Sequence, residues 1–173
     1  MTRRDFFILL STSLAFASAA DAVSPPRVVG ASGAWATVAG PAGCEAVSAA
    51  LQPAPTGKVQ ARAALAFDAA PGGRRGQFAV HLSRVPRAGS SVMLTIGDTP
   101  FLLALRDDWA WSRGPAQEAA IIAALRGAAG MRVEARSPGG GRFTDRFDLS
   151  GAPTAIDAAA ACALSLVKTS AFP

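Results

Sequence analysis

The chain has no tyrosine, a single histidine and only two cysteines in 173 residues. Cys44 and Cys162 lie too far apart for a CxxC redox pair, and their spacing matches no zinc-binding pattern. No G-x-S-x-G elbow, P-loop or dinucleotide fingerprint occurs. Gly139-Gly140-Gly141 falls in a turn between two strands rather than opening a helix, so it does not read as a phosphate cradle. No cofactor, metal or catalytic residue is therefore expected. Beyond the pairs Arg3-Arg4 and Arg74-Arg75 there is no run of Lys or Arg, and no nucleic-acid partner is expected. Apolar runs stay well short of the roughly 20 residues that a spanning helix needs.

What is present is a core. Half of the residues are apolar, enough for one globular domain and against disorder. The core must be built from Ala, Val, Leu and nine Phe. The formal net charge is +5. This balance reads as a solvated basic surface, the alternative being approach to anionic lipid, lipopolysaccharide or acidic glycans, and it defines no site.

The first residues speak to compartment. Arg3 and Arg4 precede an apolar run over residues 6–17, followed by the small-residue sites Ala17-Ser18-Ala19 and Ala20-Asp21-Ala22. This is the layout of a cleaved secretory signal peptide over residues 1–22, without a cysteine for lipoprotein anchoring. Arg3-Arg4-Asp5-Phe6-Phe7 also resembles a twin-arginine export signal. The general secretory route and the twin-arginine route both stay open. Residues 23–173 are expected to form one domain, periplasmic, secreted or at the cell surface, with no transmembrane anchor after cleavage.

Periodicity then predicts strands. Residues 27–38 read as a first strand and 44–51 as a second. In residues 58–67, Val59, Ala61, Ala63, Leu65 and Phe67 alternate with polar positions, the period of a half-buried strand. Residues 77–83 repeat it, with Phe78, Val80 and Leu82 inward and His81 outward. Gly97-Asp98-Thr99-Pro100 separates two apolar runs as a hairpin does. The second run, 101–105, is apolar on both faces and is expected to be central in its sheet or covered by a helix. Residues 131–136 and 142–150 form a last hairpin, in which Asp145 falls on the apolar face. A buried carboxylate there must be hydrogen-bonded, paired with an arginine or at a sheet edge.

Two helices are predicted. Residues 115–127 begin with Pro at the first position, and Ile121, Ile122 and Leu125 form the buried stripe. Residues 154–167 begin with Thr154 and Asp157 at capping-box spacing, and Ala155, Ala159, Cys162 and Leu166 share one face. Residues from 168 onward read as a frayed tail. The fold class is mainly β: an antiparallel β-sandwich with two peripheral helices.

Trp109 and Trp111 fall on the same side of one extended segment. They are expected to pack on the core, the alternative being a ligand-contact platform. In an exported chain, two cysteines with no other partner favour a Cys44–Cys162 disulfide, closing most of the domain into one loop. The rival is a hydrolase pairing Cys44 or Cys162 with His81, which requires hydrogen-bond reach between them.

Several stretches, in order, carry a resemblance to a known family: Trp35 before Cys44-Glu45-Ala46-Val47-Ser48, residues 92–97 leading to Phe101, and Asp108-Trp109-Ala110-Trp111. After these come the helix residues 121–126, Arg136-Ser137 with Gly140, then Asp145, Phe147, Leu149, Ser150 and Gly151, ending at Cys162. In this the chain resembles the invasion-associated locus B family of exported bacterial proteins. The resemblance implies a non-enzymatic, β-rich domain with an interaction role, its partner a component of the envelope or of a host surface. A purely structural envelope protein is the further alternative.

Overall fold

The structure, a computed structural model, describes residues 25–170. The leader expected over residues 1–22 lies outside them. Ten strands and two helices follow one another: β1 (Arg27–Ser32), β2 (Trp35–Ala39), β3 (Gly43–Ala49), β4 (Arg62–Asp68), β5 (Arg75–His81), β6 (Val92–Ile96), β7 (Thr99–Arg106), β8 (Trp109–Trp111), α1 (Pro115–Gly127), β9 (Gly130–Arg136), β10 (Arg142–Asp148) and α2 (Ala152–Ser170). The strands form one antiparallel ribbon in the order β1-β2-β3-β4-β5-β8-β7-β6-β9-β10.

The sandwich arises because the ribbon changes layers at β7. Residues 99–103 pair with β6, whereas residues 104–106 pair with β8, and no β7 residue is paired on both sides. Strands that switch sheets make the corners of such folds. Side chains at and just before the start of α1 reach two carbonyls of this corner. Gln117 Nε2 donates to Leu102 O at 3.1 Å and Arg113 Nη2 to Leu103 O at 3.2 Å. Beyond the corner the ribbon folds back on itself. The end of β10 reaches the opposite end of the strand order, where Leu51 N donates to Arg146 O, Ala34 N to Ser150 O, and Trp35 Nε1 to Asp148 O.

The inward faces meet in one hydrophobic cluster, from Trp35, Leu65 and Phe78 through Leu94 and Val133 to Phe147, Ile121 and Ile156. Ala155, Ala159 and Ala163 are buried on α2. Their small side chains let the helix lie close over β2 and β3, where Thr37 Oγ1 donates to Ala155 O at 3.3 Å. The Cys44–Cys162 disulfide joins β3 to α2, with Cα atoms 6.0 Å apart. A disulfide is the mark of maturation in an oxidising, non-cytoplasmic compartment. Among the described residues, no helix is long and apolar enough to cross a membrane.

Several boundaries differ from expectation, each for a local reason. Residues 27–38 are a hairpin rather than one strand, because Gly33, at φ +55°, supports a two-residue turn. Strand β4 starts at Arg62, not at residue 58, and Val59 is exposed. Gln60 takes over from the ladder: its Nε2 donates to Ala50 O and Gln52 O, and its Oε1 accepts from Ala54 N. Strand β7 lies inside the sheet, between β8 and β6, as expected, and its outer face is open at Leu102 and Ala104. Helix α1 matches its expected span, with Ile121 and Leu125 fully buried. Helix α2 begins two residues before Thr154 and continues through Ser170, past the tail expected from residue 168. Its Asp157 turns to Arg126 instead of closing a capping box.

Asp145 is buried, and its Oδ2 accepts from Ser83 N at 3.0 Å. The hydrogen bond ties the β5–β6 loop to edge strand β10. Asp145→Asn keeps an acceptor there, whereas Asp145→Ala leaves Ser83 N without one. The alanine variant is expected to lose about 1–3 kcal/mol in chemical denaturation, and the asparagine variant less.

Candidate functional site

The residues with most binding chemistry stand on the outer face of the first layer. Along β5, Phe78 and Val80 turn into the core, so Ala79 and His81 face out. Strand β8 pairs with β5 through Ala79–Trp111, Val80–Ala110 and His81–Trp109. Ala110 therefore enters the core and both indoles face outward, half-buried. The expectation that the indoles pack on the core is thus corrected. The two-residue spacing put them on one side, but the residue between them, not they, faces inward.

Around Trp109 the face is crowded. The His81 ring stacks on it with centroids 4.6 Å apart and planes within 10°. The Arg62 guanidinium lies 5.3 Å from its ring centroid, within cation–π range. His81 Nε2 is 2.9 Å from Asp108 Oδ2, and the imidazole is only 14% exposed. An ionised carboxylate can only accept, so Nε2 is the donor. Asp108 is positioned by the tight turn at Asp107, whose φ is +56°, and by the bond from Leu82 N to Asp108 O. Trp109 is thereby a fixed buttress.

Trp111 is differently placed. Its ring is 6.3 Å from that of Trp109 and tilted 15° from it. Its cross-strand neighbours are Ala79 on β5 and Ala104 on β7. No large side chain is registered against it on either strand. The result is an indole held rigid on one flank and bordered by small residues across the sheet, with Arg62 and Asp108 beyond Trp109. This arrangement can stack an apolar or planar group and hydrogen-bond a polar one. Sequence spacing found the two indoles; Arg62, His81 and Asp108 join them only through strand register.

The thiol–imidazole pair is not assembled. Both cysteine sulfurs are bonded to each other, and Cys44 faces α2 while His81 faces outward. A depression of about 750 Å³ between α1 and the β4–β5 turn is lined by Arg74, Arg75, Glu118, Ile122 and Arg126. Most of its charged groups are already paired: Arg74 with Asp68, Arg126 with Asp157, and Glu118 with Ser112 Oγ. The hydrogen bond from Arg74 holds the Asp68 carboxyl below the usual carboxylate range.

Comparison with protein-family models, with curated proteins and with solved structures finds no match.

Proposed function

We propose that this chain is an exported, non-enzymatic binding protein of the periplasm or cell surface, in keeping with its resemblance to invasion-associated locus B proteins. The observation that carries the reading is Trp111, half-buried on an outer sheet face between Ala79 and Ala104 and braced by Trp109. Trp111, unlike Trp109, has only Ala79 and Ala104 registered beside it and no large cross-strand neighbour to give it a packing role. Ligand stacking gives it one. The disulfide and the leader support an envelope or surface setting. The ligand class that fits is a saccharide: its C–H faces suit an indole, and its hydroxyls suit Arg62 and Asp108.

The test is co-sedimentation of the disulfide-bonded protein with purified Gram-negative cell envelopes, with competition by soluble lipopolysaccharide core oligosaccharide. Trp111→Ala is expected to retain stability within about 1 kcal/mol, as surface substitutions do. It is expected to lose at least tenfold in envelope affinity, and the oligosaccharide is expected to quench indole emission of the parent protein. Equal sedimentation of Trp111→Ala and parent would overturn the reading and leave a purely structural envelope protein.

A further inference from the structure

The outer face of the second layer is basic in a way that its own packing does not explain. Strands β9 and β10 place Arg136 directly opposite Arg142, and Arg132 directly opposite Arg146. Like charges facing each other across an antiparallel pair are destabilising. For Arg132 the conflict is relieved by Glu134, with Nε 3.3 Å from Oε2. Arg136 and Arg142 have no carboxylate partner among the described residues; Arg136 Nη1 reaches only the carbonyl of Gly140, at 3.1 Å.

A third arginine is brought to the same place by the backbone. Arg87 N donates to Arg136 O at 2.7 Å, and Ser90 N closes a turn onto Arg87 O at 3.0 Å. Together these residues line a pocket of about 460 Å³ with Ser90, Ser91, Met93 and Glu134. At its wall, Ser90 Oγ is buried with no hydrogen-bond partner, and no other such side-chain atom occurs among the described residues. An unsatisfied buried hydroxyl costs free energy, as does the unrelieved arginine pair. Both costs fall on one pocket.

We propose that this pocket is a binding site for a phosphate group. A tetrahedral oxyanion offers enough acceptor oxygens to meet three guanidinium groups at once, and planar guanidinium forks suit that geometry. It would bridge Arg136 and Arg142 and convert their repulsion into shared attraction. The one acid in the wall, Glu134, is held by Arg132 and faces Thr144 across the strand pair. The site uses none of the residues of the aromatic face, so it stands or falls independently of the proposed saccharide reading.

The experiment is an NMR titration of the disulfide-bonded protein with inorganic phosphate and pyrophosphate, paired with flotation of vesicles containing phosphatidic acid, phosphatidylglycerol or phosphatidylcholine alone. Shifts are expected to concentrate at residues 87–91 and 136–142. The double change Arg136→Gln with Arg142→Gln is expected to lower phosphate affinity at least tenfold. The control pair Arg27→Gln with Arg106→Gln, which removes the same charge elsewhere, is expected to change it less than twofold, and Trp111→Ala not at all. Without phosphate, Arg142→Gln should melt no lower than the parent, because it relieves repulsion; with phosphate, only the parent should gain. Flotation with phosphatidic acid that is lost in the double variant identifies a lipid headgroup as the source. Phosphate binding without flotation identifies a soluble phosphate compound. Equal losses in the pocket and control pairs reduce the effect to bulk charge and overturn the proposal, as does the absence of shifts at residues 87–91.

Discussion

Replacing Cys44 and Cys162 together by alanine is expected to lower the unfolding free energy by about 4–5 kcal/mol, the chain-entropy value for a loop of this size. The disulfide joins residues 118 positions apart, so in its absence nearly the whole domain gains freedom when unfolded. Domains of this size have stabilities on the order of 5–15 kcal/mol, and such a loss removes a large part of that. The native state loses contacts too: Cys44 is buried against α2, and Cys162 is partly buried beside it. Urea unfolding of the oxidised parent, the reduced parent and the double-alanine variant would check this. Reduced parent and variant should unfold at nearly the same midpoint, well below the oxidised protein. A gap of under 1 kcal/mol between oxidised parent and variant would mean that helix α2 is held by packing alone. The result also bears on compartment, since a domain that depends on this bond gains its full stability only where thiols are oxidised.

The disulfide was legible from residue counts combined with the leader expected over residues 1–22, and the strands from period-two alternation. Phe78, Val80 and Leu82 are buried as their spacing predicts, and α1 has its expected ends. Features that depend on distant partners were not legible. Gln60 delays the start of β4 because its amide meets three backbone groups of its own loop. Asp157 resembles a cap until Arg126 comes beside it. The aromatic face was half-visible: spacing pairs Trp109 with Trp111, but which side they take depends on Ala110 meeting Val80 across the strands. Arg136 opposite Arg142 follows from the bounds of the expected hairpin, but the approach of Arg87 to the same place depends on a distant backbone bond.

The seam that closes the sandwich predicts the second large effect, at Gly151. This residue has φ +82°, and a Cβ built on it would lie 1.9 Å from Ser32 O and 2.9 Å from Gly33 N. The approach is mutual, because a Cβ on Gly33 would lie 2.3 Å from Ser150 O. All of these neighbours are backbone atoms, which cannot swing aside as a side-chain end does. They belong to the β1–β2 turn and to the link from β10 into α2, where Ala34 N donates to Ser150 O at 2.9 Å. Gly151→Ala therefore carries a left-handed backbone penalty of about 1–2 kcal/mol and a forced separation that weakens this bond, worth about 1 kcal/mol more. The expected loss is about 2–3 kcal/mol in chemical denaturation. Gly140 is the control, with φ +85° and nothing within 4 Å of its Cβ position. Gly140→Ala should show the backbone penalty alone, so the difference between the two variants measures the closeness of the seam. If the two variants lose equally, the β1–β2 turn and the entry to α2 do not pack backbone against backbone. The ribbon would then be closed by Trp35 Nε1 on Asp148 O and Leu51 N on Arg146 O instead.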